Sequence, residues 1–176
     1  MNILIMEKEV EKLFPITMTR PAFDILCGGY TLYSILRDYF PDARIGFETR
    51  DYVKDIAERK YVNDRNDGAN DCVNDGKKDH GKVNAKYQEG KGHIVVDSLA
   101  VPSIENMERI KNGRDDLDLF RFPHDVVIWN KRICASNLNF KKKSYKKLEP
   151  MDDEIYIGND VKIEKNVVFD TEEGPI

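Results

Sequence analysis

Residues 14–40 read FPITMTRPAFDILCGGYTLYSILRDYF. In the second half, Leu32, Ile35, Leu36 and Tyr39 recur at i, i+3, i+4 and i+7, which gives one apolar face and predicts a helix that Pro41 stops. Upstream, Asn2 to Met6 (NILIM) is apolar enough for a buried strand, so the order is strand, loop, helix. In an open α/β sheet such a loop lies at the carboxyl end of a strand, where ligands bind. This loop holds Thr19, Arg20 and Pro21, then Asp24, then the pair Gly28 and Gly29. Glycines let backbone N–H groups approach a phosphate, and the following helix N-terminus adds a favourable dipole. Arginine supplies a forked, permanently charged donor.

Each feature also has a plainer reading. An Arg-Pro pair is held extended by its proline, and Gly-Gly commonly marks a turn. Neither a G-x-G-x-x-G nor a G-x-x-x-x-G-K-[ST] pattern occurs, so spacing alone leaves both readings open.

Farther along, Ala43 to Phe47 (ARIGF) reads as a second strand. Thr49 can cap a helix running to Lys60, with Val53, Ile56, Ala57 and Lys60 or Tyr61 on one face. Strand, helix, strand, helix predicts a parallel sheet covered by helices. His93 to Asp97 (HIVVD) is a third strand, and its terminal carboxylate stands where a metal ligand or ribose contact would be placed; a cap or turn aspartate is the plainer alternative. Ser103 caps a helix carrying Ile104, Met107 and Ile110, with Gly113 just past its end. Asp125 to Trp129 and Arg132 to Ala135 flank Asn130 and Lys131, a pattern that predicts a β-hairpin. Trp129 suits either core packing or stacking on a base or sugar. The basic run Lys141 to Lys147 suits either a solvated face or a polyphosphate contact.

Between these elements, residues 63–92 are rich in asparagine, glycine and charge of both signs, with almost nothing to bury. Such a segment cannot offset its ordering entropy and is expected to be a mobile insertion. Its Asp/Asn-rich part fails the calcium-loop spacing, because Val73 intervenes between Asp71 and Asp75.

The last segment has a different period. Ile155, Val161 and Val167 recur every six residues, as do Ile157, Ile163 and Phe169. A six-residue period marks a parallel β-helix, which needs several stacked coils to bury its faces. The expected organisation is therefore an α/β domain over 1–150 and the truncated start of a left-handed β-helix over 151–176.

Composition narrows the class. With 176 residues and a net charge of −4, the chain has a real core and lacks the basic excess of a general nucleic-acid or anionic-membrane binder. There is no apolar run long enough for a membrane span or a signal peptide, so a cytoplasmic protein is expected. Cys27, Cys72 and Cys134 are odd in number and far apart, which indicates neither a disulfide framework nor a zinc site. Cys27 reads as a small buried filler or as a reactive thiol near a helix N-terminus.

The stretch ITMTRPAFDILCGGYTL, residues 16–32, resembles the opening of divergent sugar nucleotidyltransferases that precede a hexapeptide-repeat acyltransferase domain. These are relatives of the bifunctional N-acetylglucosamine-1-phosphate uridylyltransferase/glucosamine-1-phosphate acetyltransferases. Thr19, Arg20, Pro21, Gly28, Thr31 and Leu32 carry the likeness, and the six-residue period of the tail matches the same order of domains. The resemblance implies a Rossmann-like nucleotidyltransferase sheet with flanking helices. It also implies transfer of a nucleotidyl group from a nucleoside triphosphate to a sugar 1-phosphate, with release of pyrophosphate and with Mg2+ as cofactor. On this basis Arg20 is the catalytic cation, Thr19, Gly28 and Gly29 contact the nucleotide or phosphate, and Asp97, with Asp24 second, binds the metal. A homo-oligomer is implied, a trimer if the β-helix is complete. The competing expectation is a degenerate domain that binds nucleotide weakly or scaffolds a downstream acyltransferase.

Overall fold

The computed structural model describes residues 1–61, 93–142, 146–147, 155–157 and 162–169. The insertion expected at 63–92 and the rejected calcium loop lie outside them.

Three parallel strands form the sheet: β1 (Asn2–Met6) in the centre, β2 (Arg44–Glu48) on one side and β3 (His93–Asp97) on the other. Ile3 stands opposite Ile45 and Ile94, and Ile5 opposite Phe47 and Val96. Because side chains alternate along a strand, these six residues share one face. That face meets Leu32, Tyr33, Ile35 and Leu36 of helix α1 (Leu32–Tyr39), Ala57 and Tyr61 of α2 (Asp51–Tyr61), and Met107 and Ile110 of α3 (Ile104–Lys111). Fully burying one such aliphatic side chain contributes about 1.5–3 kcal/mol, so this layer is the main source of stability.

The helix boundaries follow local chemistry. Thr31 and Ser34 form a reciprocal capping box at the start of α1, with Thr31 accepting from the Ser34 amide at 3.1 Å and Ser34 Oγ accepting from the Thr31 amide at 2.9 Å. Ser103 caps α3 through the Asn106 amide at 3.2 Å, and Gly113 follows its end at φ +70°. The expected Thr49 cap is absent: its hydroxyl is buried without a hydrogen-bond partner, and α2 starts at Asp51. Ile56, expected on the inner face of α2, is 45% exposed, while Val53, Ala57 and Tyr61 at i, i+4 and i+8 are buried.

The predicted hairpin at 125–135 is wrong. Residues Asp125–Lys141 form one helix, α4. Val126, Trp129, Ile133, Asn137 and Phe140, spaced by 3, 4, 4 and 3 residues, run along its inner side. The apolar run DVVIW has strand-like composition, but tertiary packing of that helical stripe overrides it. Asn130, read as a turn residue, lies within the helix.

A second cluster joins Ile133 to Val10, Leu13, Ala22, Ile25, Cys27, Leu99, Val101 and Phe120. It fastens the long loop after β1 to the segment after β3. Beyond α4, two short strands, β4 (Lys146–Lys147) and β5 (Tyr156–Ile157), pair antiparallel. Residues 162–169 contain no strand, and Val168 is 88% exposed. A β-helix coil is therefore not seen among the described residues.

Candidate functional site at the carboxyl end of the sheet

At or just past the carboxyl ends of the three strands stand Glu7, Arg50 and Asp97. Glu7 follows β1 directly and is almost fully buried. Its carboxylate accepts from the Ala22 amide at 2.8 Å, and from the amide and Nε of Arg50 at 3.0 Å each. Arg50 Nη2 in turn donates to the carbonyls of Thr17 (2.8 Å) and Arg20 (3.2 Å). One buried ion pair thus ties the Thr19-Arg20-Pro21 loop to the ends of β1 and β2. Buried guanidinium–carboxylate pairs hold only when their remaining donors and acceptors are satisfied, as they are here. The Arg20 side chain itself is exposed to solvent, and so is Thr19.

Asp97 ends β3, with Oδ1 accepting from the Leu99 amide at 2.9 Å. Burial pushes its pKa up, while that amide and the charges of Lys8 and Lys12 act in the opposite direction. Asp97 lies at the wall of two adjacent clefts. One, of about 390 Å³, is lined by Glu9, Lys12, Leu99, Leu119, Phe120, Arg121 and Phe122. The other, of about 440 Å³, includes Met6, Lys8, Val95 and Arg114. A raised carboxylate pKa in a cleft flanked by cations is a feature of functional sites.

Asp24 is differently occupied. Its Oδ1 accepts from Lys60 Nζ at 2.5 Å and from the Tyr61 hydroxyl. Burial and the Asp24 carboxylate both push the Tyr61 pKa up, and the arrangement anchors α2 to the loop.

Gly28 and Gly29, at φ +61° and +77°, form a two-residue turn between Cys27 and Tyr30, whose backbones bond reciprocally at 2.9 and 3.2 Å. The Gly28 amide donates to Asn130 Oδ1 at 2.7 Å, and its carbonyl accepts from Asn137 Nδ2 at 3.1 Å. A Cβ at Gly28 would stand 2.5 Å from Ile133 Cγ1, so glycine here permits close approach of α4. The turn docks a helix, and Gly28 presents no free amide toward an anion. Cys27 is fully buried and its Sγ donates to the Val126 carbonyl at 3.4 Å. Burial, with a smaller effect of Cys134, pushes its thiol up to about 11, which makes it the filler rather than the nucleophile.

The structure therefore separates residues that the sequence grouped. Arg20 sits on the loop pinned by Glu7 and Arg50, Asp97 on the clefts beside β3, Asp24 against α2, and the glycine pair against α4. Sequence reasoning missed Glu7, Arg50, Glu9, Lys12 and Arg121. The strand-end position that singled out Asp97 applies equally to Glu7, one residue past β1, and to Arg50, two past β2.

Parallel strands, a long β1–α1 loop and polar groups gathered at the strand ends fit a Rossmann-like nucleotidyltransferase domain. Over residues 2–149 the chain matches a family model described as sugar nucleotidyl transferase, and it belongs to that family. Among curated proteins and among solved structures no significant match is found.

Asp97 and Glu9 line one cleft, with Glu9 paired to Lys12 at the surface. Magnesium keeps several waters and takes one or two carboxylates plus substrate phosphates. Asp24, buried and bonded to Lys60 and Tyr61, does not suit it. Among the described residues no group of three or more His, Cys, Asp or Glu side chains able to hold a metal assembles, and no helix is long and apolar enough to cross a membrane.

Proposed function

We propose that the chain catalyses nucleotidyl transfer to a sugar 1-phosphate at the carboxyl end of its sheet. A phosphate oxygen of the sugar 1-phosphate attacks the α-phosphate of a nucleoside triphosphate, and pyrophosphate leaves. The observation that carries this reading is Asp97, a half-buried carboxylate that ends β3 between two clefts with cations on their walls. Such chemistry demands alignment of the attacking oxygen and neutralisation of phosphate charge more than covalent participation by the protein. Arg20, exposed on a loop whose backbone is fixed by Arg50, supplies a cation to the triphosphate, with Thr19 beside it in the chain. Asp97 and Glu9 would hold magnesium, which supplies charge screening on the phosphates when bound.

The test is pyrophosphate release from magnesium, each nucleoside triphosphate and a panel of hexose 1-phosphates. Release that depends on both substrates and is abolished in Arg20→Ala and Asp97→Asn supports the reading; release unaffected by either substitution refutes it.

One observation favours a second reading, that of a non-catalytic domain supporting a downstream hexapeptide acyltransferase: the Gly28 amide is taken by Asn130. On that reading no pyrophosphate appears, and truncation before Met151 spoils assembly of the following domain, which would form a trimer.

A further inference from the structure

Beside Asp97, the segment from Asp118 to Phe120 runs antiparallel to Leu99–Val101. The Val101 amide bonds the Asp118 carbonyl and the Phe120 amide bonds the Leu99 carbonyl, each at 2.8 Å. The chain then turns outward at Arg121 and Phe122. Both of their amides are held by Asp125 Oδ2, at 2.7 and 2.8 Å. Phe122 is 56% exposed, and its ring lies parallel to that of His124, with 4° between the planes and 5.5 Å between centroids. Phe122 also lines the cleft of about 390 Å³ whose apolar walls include Leu99, Leu119 and Phe120. Lys12, Arg121, Glu9 and Asp97 complete the lining. Lys12 is paired with Glu9 at the surface, a weak contact that a phosphate can displace.

An exposed aromatic face fixed on a braced backbone, next to apolar walls and two cations, has the chemistry to hold a planar heteroaromatic ring that carries phosphates. We infer that this cleft takes the base of the nucleoside triphosphate, stacked on Phe122, with Lys12 and Arg121 meeting its phosphates. The inference rests on the proposed nucleotidyl transfer and adds to it where the nucleotide lies. Phe122 acts by direct contact with the base; Asp125 is a positioning residue that holds the Phe122 backbone.

Equilibrium binding to the full chain, with magnesium present, tests this. The probes are the four ribonucleoside triphosphates, inorganic tripolyphosphate and glucose 1-phosphate. Phe122→Ala is expected to weaken the best-bound nucleoside triphosphate by about tenfold. Affinity for tripolyphosphate and glucose 1-phosphate should stay unchanged, and Phe122→Tyr should restore nucleotide binding. Wild-type nucleotide affinity in Phe122→Ala, or equal affinity of the intact chain for tripolyphosphate and every nucleoside triphosphate, overturns the inference. Pyrophosphate release by the intact chain, measured in parallel, then tells whether the transferase reading survives without it.

Discussion

Glu7 and Arg50, 43 residues apart, form a buried ion pair at 3.0 Å that holds two strand ends and the loop between β1 and α1 in one place. Through it, the backbone of Thr17, Arg20 and Ala22 is fixed relative to β1 and β2. An arginine aimed at a phosphate loses less on binding when its backbone is already immobile.

Removing one member of this pair leaves the other charge buried and unpaired, which costs about 3–5 kcal/mol. Glu7→Gln and Arg50→Ala should each lower stability by that order in urea unfolding. Arg50→Lys should be intermediate, because an ammonium keeps the charge and loses the fork that reaches Thr17 and Arg20. A loss under about 1 kcal/mol in both single variants would contradict a structural role for the pair.

Gly28 and Gly113 share a positive φ but not their surroundings. A Cβ at Gly28 meets Ile133 at 2.5 Å and Asn137 at 2.8 Å, whereas at Gly113 nothing lies within 4 Å. Gly113→Ala should therefore cost only the backbone term of about 1–2 kcal/mol. Gly28→Ala adds overpacking against α4, of about 1–3 kcal/mol more. Thermal unfolding of the two variants side by side checks the order.

Under the proposed function, Asp97 bears on stability and on activity with opposite signs. Its folded-state pKa is raised, chiefly by burial, so the neutral carboxyl is the form that folding favours. That contribution is full below the unfolded pKa and is lost as pH rises through the folded one. Asp97→Asn should then melt at a higher temperature than the wild type at neutral pH, with no advantage in acid below the ordinary carboxylate range. Pyrophosphate release should vanish in the same variant. Thermal melts from acid to neutral pH decide the sign, and a variant less stable than wild type at neutral pH would be the wrong one.

The Cys27 thiol, held up to about 11 mainly by burial, should resist alkylation at neutral pH in the folded protein. Cys134, only partly buried, should react before it. Mass mapping of iodoacetamide adducts before and after denaturation shows whether Cys27 is modified only on unfolding.

Much of the fold was legible in local patterns. The apolar runs of β1 and β3 and the i, i+3, i+4, i+7 stripe of α1 appear where expected, β2 is offset by one residue, and Ser103 caps α3 as read. These features depend on neighbours within a turn or a strand, which a sequence displays directly. The misreading of α4 has the opposite origin. Asn130 and Asn137 are ordinary polar residues in a β-rich stretch until Gly28, more than 100 residues away, donates its amide to the first and accepts at its carbonyl from the second. Asn137 further donates to the Pro102 carbonyl at 2.7 Å, joining α4 to the segment after β3.

From the sequence alone come the parallel α/β class and the position of Asp97 at the end of a strand, because periodicity and position along a strand are local properties of the chain. Only the tertiary structure decided that the glycine pair serves helix docking, that Asp24 belongs to α2, and that Glu7 and Arg50 fix the arginine loop. Each of those roles is set by a partner distant in sequence, and the energy of such a contact exists only once folding has brought both groups together and removed the water between them.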